Sequence, residues 1–140
     1  MIIYYYTRTG RSEIVAKTIA EKYEISIHEI RDDINWQGPL NYIKAGAYAG
    51  GKKRIPSIYE EDSDDDILLV FPLWAQGFPP AVRDFISKHH QKKIICVVTS
   101  LISKLKEREG FEQVIDLVGK ELELDSVYQF IEKRLYNETD

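Results

Sequence analysis

Residues 2–12, IIYYYTRTGRS, decide the fold of this 140-residue chain. The run 2–6 is β-branched and aromatic and ends in a turn of hydroxyl residues and glycine, which predicts a buried strand. Apolar residues then recur at three- and four-residue spacing up to residue 23, which predicts an amphipathic helix directly after the turn. The chain therefore opens with a strand, a loop and a helix in succession.

The loop of this unit brings hydroxyl groups and backbone N–H groups to the start of a helix. Its members are Thr7, Arg8, Thr9, Gly10, Arg11 and Ser12. Unpaired amides and the helix dipole favour an anion there, so a phosphate fits. Alternatively, Thr9 or Ser12 only caps the helix and the rest is an ordinary turn. The loop matches neither a Walker loop nor the dinucleotide Gly-x-Gly-x-x-Gly pattern. Each of the two guanidinium groups can add charge-assisted bonds or point to water, and we expect water.

The remaining chain predicts a regular alternation of strands and helices. Further strands are predicted at residues 24–30, 67–71, 94–98 and 111–118, and further helices at 38–49, from Pro80, at 101–108 and from Asp125. The runs 67–71 and 94–98 are wholly apolar, as in parallel strands covered on both faces. We therefore predict one α/β domain over residues 1–140, with a five-stranded parallel sheet between two helical layers.

Composition excludes several classes of function. With 44% hydrophobic residues and no apolar run near the roughly 18 residues of a membrane span, no membrane partner is expected. A net charge of -4 argues against a nucleic-acid partner. The start of the chain lacks the pattern of a secretory signal, and the single Cys96 cannot form an internal disulfide, so a cytoplasmic location is predicted. Neither the acidic run 60–66 nor His89-His90 has metal-ligand spacing, so no metal site is predicted.

Three predicted loops leave the carboxyl ends of the strands, where parallel sheets bind ligands. They are the first loop (residues 7–12), the second loop (72–79) and the third loop (from 99 onward). The second loop contains Trp74, whose ring can stack on a flat heteroaromatic ligand. The alternative is a Trp packed between a helix and the loop.

Two of these loops resemble the flavin-binding loops of flavodoxins. TRTGRS at 7–12 is similar to the Ser/Thr-x-Thr-Gly-x-Ser/Thr phosphate loop, and FPLWAQGFPPAVRDF at 71–85 is similar to the second flavin loop and its following helix. Residues 42–46 also resemble the second helix of the family. The resemblance implies a flavodoxin-like three-layer, doubly wound sandwich with strand order 2-1-3-4-5.

The same resemblance implies FMN as the cofactor, with its phosphate on the first loop and its ring beside Trp74. The implied cofactor-binding residues are Thr7, Arg8, Thr9, Gly10, Arg11, Ser12, Pro72, Leu73, Trp74, Ala75, Gln76, Gly77, Thr99 and Ser100. No side chain need be catalytic, since the flavin does the redox chemistry. The third loop lacks the Tyr and the glycines that electron carriers of the family often have there, so one face of the ring is expected to be more open.

These expectations leave two classes of function. In the first class, the chain is expected to be an FMN protein. It would act either as an electron carrier with a redox partner protein or as a small quinone-reductase-like oxidoreductase with NAD(P)H and a small acceptor. The short third loop favours the reductase. The chain is expected to be a monomer or a homodimer. Alternatively, it is a flavin-free module of this fold that binds a protein or another phosphate ligand.

Overall fold

The computed structural model describes residues 1–62 and 66–137, which form five strands, four α-helices and one short 3-10 turn. In chain order the elements are β1 (Ile2–Tyr5), α1 (Arg11–Tyr23), β2 (Ile27–Glu29), α2 (Pro39–Gly50), β3 (Ile67–Pro72), α3 (Pro80–Ser87), the 3-10 turn (Gln91–Lys93), β4 (Ile94–Ser100), β5 (Gln113–Val118) and α4 (Asp125–Asn137). Residues 63–65, part of the acidic run, lie outside the described residues. None of the described helices is long and apolar enough to cross a membrane.

The five strands form one parallel sheet in the order β2-β1-β3-β4-β5. Tyr5 at the end of β1 pairs with Val70, and Pro72 at the end of β3 pairs with Thr99 near the end of β4. The loops that follow β1, β3 and β4 therefore leave the same edge of the sheet side by side. The predicted α/β class and strand order are both confirmed.

The sheet is buried on both faces. Successive strand residues point to opposite sides. Leu69 and Cys96 pack with α2 and α3 on one face, whereas Leu68 and Ile95 pack with α1 and α4 on the other. This is why β3 and residues 94–98 of β4 are apolar at every position. Burial raises the pKa of the Cys96 thiol and keeps it protonated.

The predicted helix at 101–108 is wrong, because this segment is an irregular crossover that runs from the end of β4 to the start of β5. The crossover returns the chain past the seven residues of β4, which span about 20 Å, and contacts with β5 fix its path. The return is completed where the N–H of Glu112 donates to the carbonyl of Ile94 at 3.0 Å. Asp116 holds the crossover by accepting from the N–H of Leu105 at 3.1 Å and from Nη1 of Arg108 at 2.6 Å.

Other predicted boundaries move by a few residues. The edge strand predicted at 24–30 is shorter, because Glu24 at φ 53° ends α1 in the left-handed region. The helix predicted at 38–49 begins at Pro39, after Gly38 at φ 91°. Pro80 opens α3 as predicted.

Candidate functional site

A cavity of about 780 Å³ lies where the three loops meet at the carboxyl edge of the sheet. Its volume is within the range of about 300–1,000 Å³ that small-molecule sites occupy. It is lined by Thr7, Arg8, Thr9, Arg11, Ser12, Tyr42, Ala45, Gly46, Pro72, Leu73, Trp74, Ala75, Gln76, Thr99, Ser100, Leu101, Ile102 and Ser103. We call this space the edge cavity.

The edge cavity contains most of the site residues expected from the sequence. Of those fourteen residues only Gly10 and Gly77 do not line it, and both shape loops that do. Gly10 precedes α1 at φ 98°, a conformation that few other residues adopt, and its N–H donates to Oγ1 of Thr7 at 2.9 Å. The α2 wall is not among the site residues expected from the sequence, although Tyr42 and Gly46 lie in the segment that resembles the family's second helix.

The first loop is tied to the third loop beneath the edge cavity. Ser12 is buried, and its hydroxyl lies 2.9 Å from the hydroxyl of Thr99. Thr7 uses its hydroxyl oxygen to accept from Gly10, which leaves the hydroxyl proton for another acceptor. Thr9 is exposed. The first loop therefore offers hydroxyl donors from a backbone that is already ordered.

The expectation that Arg8 and Arg11 point to water is wrong. Both are half-buried, and each donates through Nη2 to a backbone carbonyl: Arg8 to Trp36 at 2.7 Å, and Arg11 to Gly119. The guanidinium of Arg8 also lies 4.8 Å from the ring centroid of Tyr42. Carbonyl oxygens and aromatic faces both attract such a cation, which is why neither side chain is free in solvent.

The edge cavity carries positive charge without a compensating acid. Among the described residues that line it, Arg8 and Arg11 are charged and none is Asp or Glu. Each guanidinium has five N–H donors and makes few protein hydrogen bonds, so donors remain for a ligand. The N-terminus of α1 adds its positive dipole end at the same place. The arrangement favours an anion at this end of the cavity.

The second loop contains a two-residue hairpin turn. Trp74 and Gly77 exchange backbone hydrogen bonds of 3.0 and 2.8 Å. The two residues between them, Ala75 and Gln76, have φ values of 48° and 64°. Two positive φ values in succession are typical of a type I′ turn, which normally selects Asn and Gly. The turn therefore stores backbone strain at the wall of the edge cavity.

Trp74 both lines the edge cavity and belongs to a buried aromatic cluster. It is only 7% exposed and packs edge-on against Tyr6, with ring centroids 5.8 Å apart, and against Trp36 at 5.2 Å. Most of the Trp74 surface is therefore packed, as in the alternative considered from the sequence. The remaining surface lines the edge cavity. That it stacks on a ligand stays a prediction.

Asp32 anchors this aromatic cluster, and nothing in the sequence pointed to it. Its carboxylate accepts from the hydroxyl of Tyr6 at 2.7 Å and from Nε1 of Trp36 at 3.0 Å. Burial, with the nearby Asp32 carboxylate, raises the pKa of Tyr6 and keeps the phenol protonated. A lone Asp in an irregular segment carries no recognisable signal, because its role depends on how residues 31–38 fold back against β1.

The third loop forms an open, apolar side of the edge cavity. Leu101 and Ile102 line it and are 58% and 88% exposed. The hydroxyl of Ser100 donates to the carbonyl of Ser103, which turns the chain at this point. Within residues 1–62 and 66–137, no three His, Cys, Asp or Glu side chains are grouped as a metal site.

Solved structures share this architecture over nearly the whole chain. A proposed flavoprotein from Bacteroides uniformis is 22% identical, with a TM-score of 0.70 over 94% of this chain and 97% of its own. A second from Bacteroides eggerthii is 13% identical, with a TM-score of 0.73 over 94% of each chain. A flavoprotein from Lactobacillus acidophilus in complex with FMN is 14% identical, with a TM-score of 0.62 over 93% of this chain and 97% of its own.

The chain has a flavodoxin-like fold. No protein-family model matches the sequence, and no curated protein matches it. At the identities of the solved structures the likeness is one of architecture. In a flavodoxin-like sheet, the order reverses between β1 and β3, and the edge cavity lies beyond the carboxyl ends of those two strands.

Proposed function

We propose that the edge cavity binds FMN and that the chain acts as a small flavin-dependent redox protein. The observation that carries this proposal is the pairing of Arg8 and Arg11 with the N-terminus of α1 at one end of a largely apolar cavity. A phosphate needs the first feature, and a flat heteroaromatic ring needs the second. The related fold of a flavoprotein crystallised with FMN supports the assignment.

The residues present fit both ends of this cofactor. Thr7 and Thr9 would donate hydroxyl protons to the phosphate, with the two guanidinium groups beside them. The apolar walls, which include Leu73, Trp74 and Tyr42, would hold the ring and keep water from it. When bound, FMN supplies one- and two-electron redox chemistry, and the chain supplies position and environment.

The open third loop favours a reductase over an electron carrier. Because Leu101 and Ile102 stand exposed at the rim, this side of the edge cavity can admit a second small molecule. NAD(P)H as the donor and a small quinone-like acceptor fit such an opening. A protected ring that meets only a partner protein would need a more closed third loop.

The absorbance spectrum of the purified protein tests FMN binding directly. We expect flavin bands after incubation with FMN and removal of free ligand by gel filtration. A protein that stays colourless through this treatment would contradict the proposal and favour a flavin-free binding module.

Anaerobic mixing of the FMN-loaded protein with NADPH separates the two redox roles. We expect direct bleaching of the flavin bands, followed by recovery when a small quinone is added. Bleaching by chemical reductants alone, with no response to NADPH or NADH, would instead indicate an electron carrier.

A further inference from the structure

Three aromatic rings form a continuous row from the edge cavity to the protein surface. Trp74 lines the cavity, the ring centroid of Trp36 lies 5.2 Å from it, and that of Tyr48 lies 5.8 Å further on. Trp36 is 5% exposed, whereas Tyr48 is partly exposed. All three are side chains that can lose an electron, and their edges are in contact.

The charged groups beside this row make a positive charge more stable on one tryptophan than on the other. Over Trp74 lies the guanidinium of Arg8, 5.9 Å from the ring centroid. The Nε1 of Trp36 instead donates to both oxygens of Asp32, at 3.0 and 3.2 Å. The ammonium of Lys44 lies 5.9 Å from the Trp36 ring centroid, but Lys44 is exposed and makes no bond to the ring, whereas the carboxylate is hydrogen-bonded to it, so the carboxylate dominates there. A positive charge is therefore more stable on Trp36 than on Trp74.

The row ends at a ring that must release a proton when it is oxidised. The ammonium groups of Lys44 and Lys53 lie 5.4 and 4.9 Å from the ring centroid of Tyr48. Two cations at these distances disfavour a cation on the ring. Because Tyr48 is partly exposed, its phenol proton can pass to water, which leaves a neutral radical.

We propose that this row carries single oxidising equivalents from the edge cavity to the surface. The inference rests on the proposed function, since the oxidant is the photo-excited flavin. Trp74 gives one electron to it, Trp36 refills Trp74, and Tyr48 refills Trp36 and loses its phenol proton to water. In sum, Tyr48 gives up one electron to the flavin and one proton to water and becomes a neutral radical, which a thiol in solution restores with one electron and one proton.

Tyr6 offers a side branch whose ring is buried. Its ring lies 5.8 Å from Trp74, and its hydroxyl donates to Asp32 at 2.7 Å. At 4% exposure it has no route for its proton except Asp32. A proton passed to Asp32 stays hydrogen-bonded to the Tyr6 oxygen and can return with the electron, so we expect charge on this branch to recombine faster than charge on Tyr48.

Flash photolysis of the FMN-loaded protein tests the row. In the wild type we expect a tryptophan radical followed by a tyrosyl radical, with reduced flavin that outlives the tryptophan signal. Tyr48→Phe should abolish the tyrosyl signal and shorten the life of the reduced flavin. Tyr59→Phe is the matched control, because Tyr59 is also partly buried but packs on Phe85 and Tyr4, away from the row. Trp36→Phe should leave only a short-lived tryptophan radical.

Each other outcome overturns the inference. A tyrosyl signal that persists in Tyr48→Phe and disappears in Tyr6→Phe would assign the hole to the side branch. Identical kinetics in the wild type, Tyr48→Phe and Trp36→Phe would show that the row carries no charge. Absorbance before the flash reports FMN binding separately, so a protein without bound flavin overturns the proposed function and this inference with it.

Discussion

The arginines at positions 8 and 11 are held in place before a ligand arrives. Arg8 is fastened to the carbonyl of Trp36 and to the Tyr42 ring, and Arg11 to the carbonyl of Gly119. Ordering a free arginine on binding costs about 0.5–1.5 kcal/mol. That cost is already met in the folded chain, so the two cations add to anion affinity with little entropic loss.

Replacing Arg8 with Ala should weaken FMN binding by about tenfold to a hundredfold, because a hydrogen bond to a charged group contributes about 1.5–3 kcal/mol. Quenching of flavin fluorescence in a titration measures this. Riboflavin has no phosphate, so its affinity should change much less.

Lys17→Ala is the control for that loss, since it removes a cation of α1 that is 63% exposed, pairs with Glu13 and does not line the edge cavity. Equal weakening of FMN and riboflavin by Arg8→Ala would show that the residue supports the aromatic walls instead of the phosphate.

The strained turn in the second loop predicts a stabilising substitution. Gln76→Gly should raise the free energy of unfolding by about 0.5–1 kcal/mol, because glycine adopts the φ of 64° without steric cost. Urea denaturation of the ligand-free protein measures the change. Ala47→Gly on the exposed face of α2 should have the opposite sign, at about 1 kcal/mol. A loss of stability in both variants would argue against strain at residue 76.

At the scale of elements, α3 is fastened to the segment before β3 by one buried carboxylate. Asp84 accepts from the N–H and the hydroxyl of Ser57 at 2.9 and 2.7 Å, and pairs with Lys88 at 3.0 Å. Burial by itself raises the pKa of Asp84, but the bonds from Ser57 and Lys88 outweigh it and the net pKa is lowered. Because the pKa of Asp84 is lowered, its ionised carboxylate stabilises the fold at pH values above the usual Asp range. This stabilisation is lost as the pH falls through the lowered pKa of the folded state.

Asp84→Asn should therefore cost about 1–2 kcal/mol at neutral pH and much less at about pH 3. Urea unfolding at several pH values shows this as a shallower acid dependence than in the wild type. Asp33→Asn, at an exposed position, is the control for the loss of a carboxylate as such. A constant difference between Asp84→Asn and wild type across this range would mean that charge is not the cause.

The sequence predicted those elements whose form depends on a local residue pattern. Continuous apolar runs identified β3 and β4, and Pro80 marked the start of α3. The crossover at 101–112 was missed because its local spacing resembles a helix, whereas its path depends on the contacts that Asp116 of β5 makes with it. The first loop was found from its motif, but the contact from Arg8 to Trp36 joins residues 28 positions apart and depends on the tertiary fold.

On the scale of the whole molecule, cofactor binding and stability are linked. FMN at a hundred times its dissociation constant should add about 2.7 kcal/mol, which in a domain of this size raises Tm by about 5–10 °C. Differential scanning fluorimetry with a dye outside the flavin bands measures it. AMP supplies a phosphate and a flat ring without the flavin, and should shift Tm less. An equal shift with AMP would favour a general phosphate-binding module.

The irregular crossover between β4 and β5 can change in length without disturbing the sheet. Its exposed turn at Leu101 and Ile102 is anchored on either side by Ser100 and by Leu105. Lengthening such a loop is inexpensive, since doubling its length costs only about 0.6 kcal/mol. Insertions after Ile102 could therefore raise or remove a wall over the edge cavity while the sheet keeps its register. Substrate range could evolve here by changes in loop length alone.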